Sequence, residues 1–165
     1  MSSSSTEVNL DQRREEQHAR GNKNANEMKR NAMLCEPIDG TGSTTACERA
    51  CELNHSNSCA NWGLSLLAEK PEIAIDVLAR ACIGGSGTGC EAESRLRKKA
   101  GDLERSEMKM KAARDYHRVH CSQGYARSCL ALARLFDTGE GGPIDADTAR
   151  VFREQGELLR GGARY

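Results

Sequence analysis

The sequence predicts an all-α protein assembled from about four helix pairs, and three observations carry that reading. Eight cysteines stand at 35, 47, 51, 59, 82, 90, 121 and 129, and three pairs of them share a spacing of eight: Cys51 and Cys59, Cys82 and Cys90, Cys121 and Cys129. These pairs recur after 31 and then 39 residues, the signature of an array of short repeated units. The residues before each first cysteine repeat one helical face, at the i, i+3, i+4, i+7 positions that a 3.6-residue turn brings together. Composition agrees. Leu, Ile, Val and Phe total only 25 of the 165 residues and aromatics 4%, which argues against an all-β domain. With large apolar side chains this scarce, the 20 alanines, 16 glycines and eight cysteines call for helices packed closely through small side chains, or covalent staples, or both.

The elements follow in chain order. Residues 1–22 read as a tail: Ser2–Ser5 as a disordered start, and 10–20 as a solvated stretch with helical character. The first pair spans 23–53. Its first helix, 24–34, carries Ala25, Met28, Ala32 and Met33 on one face, and Pro37–Asp39 introduces the second, whose stripe is Ser43, Ala46, Cys47 and Ala50 ahead of Cys51. The second pair, 59–84, opens with Trp62, Gly63 and Leu66 and closes with Ala74, Val77, Leu78 and Ala81 ahead of Cys82. In both Trp62-Gly63 and the later Leu132-Ala133, a small residue falls where helices approach closely.

The third pair, 89–123, fits least well. Its slots equivalent to Trp62, Gly63 and Leu66 hold Glu93, Ser94 and Arg97, so this helix is expected either to be rotated or to be the weakest point of the array. Its second helix keeps the stripe with Ala113, Tyr116, His117 and His120 ahead of Cys121. The fourth pair, 128–160, has Leu132, Ala133 and Phe136, then Pro143–Asp145 at the same distance as Pro37–Asp39 before the stripe Ala149, Phe152, Arg153, Gly156. Glu157 stands where a cysteine would recur, as expected of a polar terminal cap. Residues 161–165 are a short tail.

The links between the paired cysteines, 54–58, 83–89 and 122–128, are rich in the Gly, Asn and Ser that turns use. On one continuous helix, residues eight apart lie about 12 Å apart along the axis. A disulfide wants its Cα atoms within about 7 Å. Any bond between paired cysteines therefore requires the chain to reverse between them, and the link residues permit that.

Charge and patterning exclude several classes. Lys plus Arg and Asp plus Glu are 24 each, so no global basic field favours nucleic acid or an anionic membrane. No apolar run approaches the 18 residues of a membrane span. The first residues lack the apolar stretch of a secretory signal, and Glu7, Asp11, Glu15 and Glu16 argue against a matrix transit peptide.

The segments ERACELNHSNSCANWGLSLL, the later ARAC, and CSQGYARSCLALARLF followed by GGPIDADTA resemble the Sel1-like repeat family, in particular its cysteine-rich branch. That branch includes bacterial Hcp-like proteins and a mitochondrial intermembrane-space assembly factor for cytochrome c oxidase. The resemblance covers roughly residues 24–160. It implies a right-handed α/α superhelical solenoid related to tetratricopeptide arrays, with a disulfide inside each repeat: Cys51–Cys59, Cys82–Cys90 and Cys121–Cys129. Cys35 and Cys47 are left over, and the sequence leaves open whether they form a fourth bond.

Two function classes follow. The first is a non-enzymatic scaffold or assembly factor that binds a protein partner on exposed residues of the first helix of each pair; Asn61, Glu91, Arg95 and Arg134 are the candidates, and the basic cluster Arg95, Arg97, Lys98, Lys99 reads as a solvated face. The second is an enzyme or cofactor protein. Some Hcp-like proteins carry a β-lactamase label, yet Ser65 and Ser94 begin no Ser-x-x-Lys motif, no Gly-x-Ser-x-Gly elbow occurs, and Gly85-Ser86-Gly87 reads as a turn. Cys47 and Cys51 at i, i+4, with His55, His117, His120 and Cys121, offer metal or haem ligands without the tighter spacing zinc sites usually show. No CxxC favours thiol redox catalysis. The expectation is therefore structural cysteines, no catalytic residues, no metal and no cofactor. Paired cysteines call for an oxidising compartment: the intermembrane space, or a periplasmic or secreted setting if a leader is missing; reduced thiols would instead place the chain in the cytosol.

Overall fold

A computed structural model describes residues 4–35 and 42–162, with side chains from residue 12 onward; Ser2, Ser3, Pro37–Asp39 and residues 163–165 lie outside the described residues. Within them the chain is helical throughout, with eight helices and no strand: α1 Ser4–Cys35, α2 Thr44–Glu52, α3 Ser56–Leu66, α4 Pro71–Ile83, α5 Gly87–Lys99, α6 Leu103–Ser122, α7 Ala126–Thr138 and α8 Ala146–Gly162. Each packs on the next in chain order. In addition α3 packs on α5, and α1 touches α3.

The helix starts are local chemistry. Ser43, Ser86 and Asp102 accept a hydrogen bond from the backbone N–H three residues on, at Ala46, Gly89 and Arg105. Each satisfies one of the donors a helix start leaves orphaned. His55 does the same for α3, its Nδ1 taking the Ser58 N–H. Pro71 opens α4, where its missing N–H costs nothing. At α8 the Asp145 carboxylate accepts the Thr148 N–H at 3.0 Å and the Thr148 hydroxyl at 2.6 Å, which hold its carboxyl below the usual range.

The repeated stripes form the interior. Ala46, Cys47, Ala50 and Cys51 of α2, Ala74, Val77, Leu78, Ala81 and Cys82 of α4, and Ala113, His117 and Cys121 of α6 are all buried. In α8 Ala149 and Gly156 are buried, while Arg153 and Glu157 face solvent. The small residue expected where helices approach closely is Gly63: a Cβ there would lie 2.7 Å from Leu78 Cγ on α4. Gly156 plays the same part against Leu130, at 2.8 Å.

Four cysteine pairs stand at disulfide distance: Cys35/Cys47, Cys51/Cys59, Cys82/Cys90 and Cys121/Cys129, with Cα separations of 4.4–4.6 Å. The three eight-residue pairs join α2 to α3, α4 to α5 and α6 to α7. Measured against unit boundaries 23–53, 59–84, 89–123 and 128–160, these staples cross from one helix pair to the next. Only Cys35/Cys47 lies inside a pair. The reason is the chain reversal itself, which puts the turn, and so the close approach of the two cysteines, at the junction.

Two expectations are corrected, and of the two alternatives for the third pair one is set aside. On α1, Met33 is 78% exposed and Ala25 also faces solvent; the less exposed face is Glu27, Met28, Asn31, Ala32 and Cys35, and it carries the Cys35/Cys47 pair and the ion pair of Glu27 with Arg49 at 2.7 Å. The tail does not end at 22: α1 runs as one helix from Ser4 to Cys35, with residues 12–26 exposed. The third pair is not rotated. Glu93 and Ser94 keep the equivalent slots, 1% and 2% exposed, because polar partners meet them there. Ser94 donates to Ser106 O at 2.7 Å, and Glu93 pairs with Arg97 and, at 3.0 Å, with Lys109.

Candidate functional site

Of the four candidate binding residues, three come together and one does not. Glu91 on α5 is not exposed. Only 8% of its side chain is accessible, and it is held by three partners: His117 Nε2 on α6 at 2.9 Å, and the guanidinium groups of Arg95 at 3.0 Å and Arg134 on α7. Arg134 and Arg95 in turn approach Glu140, at 2.9 and 3.9 Å, and remain partly exposed. Burial pushes the Glu91 carboxyl up, but the His117 hydrogen bond and the charges of Arg134, His117 and Arg95 outweigh it and leave it below its usual range. A buried carboxylate satisfied from three directions is what makes this burial tolerable. The cluster thus ties α5, α6 and α7 together and shows solvent only its arginine and Glu140 rim.

Asn61 sits elsewhere on α3, its amide directed at Cys35 Sγ, 3.7 Å away. It also lines a cavity of about 110 Å³ that no sequence motif announces, together with Asn57, Gly87, Thr88, His117, His120, Tyr125, Arg127 and Ser128. His117 therefore belongs both to the charged cluster and to this cavity. Its ring lies over Gly87, where a Cβ would fall 2.6 Å from Cε1; only glycine leaves room for the imidazole. His120 packs edge-on against Tyr125, and burial and then His117 pull its pKa down. The i, i+3 spacing of His117 and His120 on one helix is visible in the sequence; the helix starts that complete the cavity come from three separate units and are not.

The other chemical readings meet these geometries. The thiols considered as metal or haem ligands are engaged: Cys47 with Cys35, Cys51 with Cys59, Cys121 with Cys129, while His55 caps α3. No group of three or more His, Cys, Asp or Glu side chains is placed to hold a metal ion among the described residues. The serine hydroxyls weighed for a hydrolase bond to backbone: Ser65 to Trp62 O, Ser94 to Ser106 O, and Ser86 caps α5. Among the described residues no helix is long and apolar enough to cross a membrane. One more contact is not legible in the sequence: Arg80 on α4 donates to Cys51 O at 2.9 Å and lies against both sulfurs of the Cys51/Cys59 pair.

Neither a protein-family model nor a curated protein matches this chain.

Proposed function

We propose that the chain is a disulfide-stapled α/α solenoid of the cysteine-rich Sel1-like kind that binds a protein partner and catalyses no reaction of its own. The observation that carries this reading is the placement of polar side chains from successive first helices. Asn57 and Asn61 of α3, Thr88 and Arg95 of α5, and Arg127 and Arg134 of α7 stand beside shared features, the 110 Å³ cavity and the Glu91 cluster. In a solenoid the first helices of successive pairs line one continuous surface. The thiols and the candidate serine hydroxyls are meanwhile spent on packing and capping, which leaves the fold rather than chemistry as their use. Four cysteine pairs at disulfide distance support an oxidising compartment.

The test is site-specific photo-cross-linking in the native source. A cross-linker at Asn61 or Arg134 is expected to trap one partner, one at the exposed Ile75 of α4 is not, and Arg134→Glu is expected to lower capture from Asn61. Partner contact confined to Ile75 would overturn the assignment of the surface. Turnover of a substrate abolished by a single serine or histidine substitution would overturn the non-enzymatic reading.

A further inference from the structure

The four cysteine pairs do not share the same surroundings. Cys51/Cys59 and Cys82/Cys90 are both packed among apolar side chains, the first with Ala60, Val77 and Ala81, the second with Met110, Ala113 and Leu135. Apolar packing disfavours a thiolate, so on that ground both staples resist reduction alike. Arg80 of α4 breaks the parity. Its Nη2 donates to Cys51 O at 2.9 Å, lies against Cys51 Sγ and stands 3.6 Å from Cys59 Sγ. Among the described residues Arg80 has no ion-pair partner, so its charge is left to the sulfurs and to solvent. The sulfurs of the other pairs meet no cation there; Cys35 has only the neutral Asn61 amide, at 3.7 Å. The repeat shows the same contrast. Arg80 stands two residues before Cys82, a slot that holds Val119 before Cys121 and Gln155 before Glu157. Arg49, in that slot before Cys51, is engaged by Glu27 and Glu52.

A guanidinium beside a sulfur acts on one redox state more than the other. The disulfide is neutral and gains little from it. The thiolate that reduction releases is an anion, and gains a charge-assisted hydrogen bond. Arg80 therefore shifts the equilibrium of this pair, and of no other, toward the reduced form. The seam also has something to release. Cys35/Cys47 ties α1 to α2, and these two helices meet the rest of the fold only at α3.

We propose that Cys51/Cys59 is a redox switch: a small thiol of the glutathione class opens this staple before the others, and its opening loosens the hairpin α1–α2 from α3. The reductant's thiolate bonds to Cys59 Sγ, and the Cys51–Cys59 bond breaks with its electron pair leaving on Cys51, beside Arg80. A second reductant thiolate bonds to the sulfur of the first, and the mixed disulfide breaks with its electron pair on Cys59. The protein pair gains two electrons and two reductant thiols become one disulfide. Of the two protons they give up, one goes to Cys59 and one to solvent, because Cys51 stays a thiolate against Arg80. Both sulfurs are buried, Cys51 at 0% and Cys59 at 2% exposed, so attack waits on a local parting of the seam and the switch is read at equilibrium. The switch is independent of the partner-binding reading, so its failure would leave that reading standing.

The experiment equilibrates the full chain at pH 7 in buffers of reduced and oxidised glutathione. Free thiols are alkylated with a light reagent, the rest with a heavy one after reduction, and mass spectrometry reads the reduced fraction of each pair. Arg80 is exposed to solvent, which holds its effect to about tenfold in the equilibrium, or about 30 mV for two electrons. Cys51/Cys59 is thus expected to be half reduced in a buffer about tenfold less reducing than Cys82/Cys90 and Cys121/Cys129 require. Arg80→Met is expected to make this pair about tenfold harder to reduce and to leave the other two unchanged; Arg80→Lys, which keeps the charge, restores most of the difference. A merely structural Arg80, bracing the seam through Cys51 O, would give the opposite sign, since its loss would loosen the seam and ease reduction. In a buffer that reduces this pair alone, the α2 amides are expected to exchange hydrogen about tenfold faster while those of α6–α8 stay unchanged. The switch is overturned if Cys51/Cys59 is reduced together with or after the other two pairs. It is equally overturned if Arg80→Met eases reduction or leaves it unchanged, or if exchange in α2 does not respond.

Discussion

Gly63→Ala adds a single methyl group, and the structure makes its effect a contest between two opposed terms. In an open helix the exchange gains about 1 kcal/mol, because glycine is the poorer helix former. At Gly63 the new Cβ would fall 2.7 Å from Leu78 Cγ, 2.9 Å from Leu78 Cδ2 and 3.3 Å from Val77 Cγ1. Carbon atoms prefer about 3.5–4.0 Å, so Leu78 must withdraw by most of an ångström. It is fully buried and has nowhere to go. Overpacking of that kind costs typically about 1–3 kcal/mol, so the clash wins and a net loss of about 1 kcal/mol is expected. Urea unfolding of the oxidised protein, followed by helical circular dichroism, measures it. Leu78→Ala alone is expected to cost about 2–5 kcal/mol for the buried carbons it removes. Combined with Gly63→Ala it should cost less than the sum, because it removes the Cγ and Cδ2 that the new methyl would meet. Gly21, where an added methyl would meet nothing within 4 Å, is the control for propensity alone. The reasoning is refuted if Gly63→Ala stabilises the protein, or if the two changes add within about 0.5 kcal/mol.

Further outcomes are expected from the staples, the cluster and the last loop. Replacing Cys82 and Cys90 together by alanine opens a nine-residue loop and should lower stability by about 2.6 kcal/mol on the chain-entropy model, read from the urea midpoint without reductant. Glu91→Gln should cost about 1–3 kcal/mol at pH 7, because it strips a buried acceptor of its charge while the arginines can still reach water. The folded carboxyl lies below its unfolded value, so its stabilisation is full above that value, about 4.3, and fades as pH falls through the folded one. The gap between wild type and Glu91→Gln should therefore begin to close as pH falls below the unfolded value, and go on closing through the folded one, when the same unfolding is run in acid. Gly142→Ala would drive a Cβ into Arg114 Nη1; it should push that buried guanidinium off the Phe136 ring, 3.7 Å beneath it, and cost about 1–3 kcal/mol, with ring-proton shifts of Phe136 as the direct readout.

What the sequence disclosed was what repeats locally. Cysteine spacing, the stripes of α2, α4 and α6, the close approach at Gly63 and the polar outer face of α8 all lie within one or two turns of chain. What it concealed depends on residues far away. Glu91 looks like an exposed binding residue until His117, 26 positions on, and Arg134, 43 positions on, are seen to satisfy it. Glu93 and Ser94 look like a break in the pattern until Lys109 and Ser106 arrive from the opposite helix. The buried face of α1 is not decided by hydrophobicity alone, because Met33 and Met28 are equally apolar; the inward face is the one that also carries Cys35, at disulfide distance from Cys47, and Glu27, paired with Arg49. The cavity has no local pattern at all, being made of the beginnings of three helices and the end of a fourth.

The placement of the three eight-residue staples has a mechanical meaning. Pulled from its two ends, an ordinary helical array lengthens first wherever neighbouring pairs part. Here the eight peptide steps between paired cysteines, about 28 Å when extended, are shunted by Cα separations of only 4.4–4.6 Å. The seams α2–α3, α4–α5 and α6–α7 are thus inextensible while oxidised, and tension must be relieved by opening the hairpins α3–α4, α5–α6 and α7–α8 instead. Reduction would lengthen the fully drawn chain by about 24 Å at each seam. The oxidation state of these cysteines therefore sets how far the molecule can be drawn out before its helices come apart.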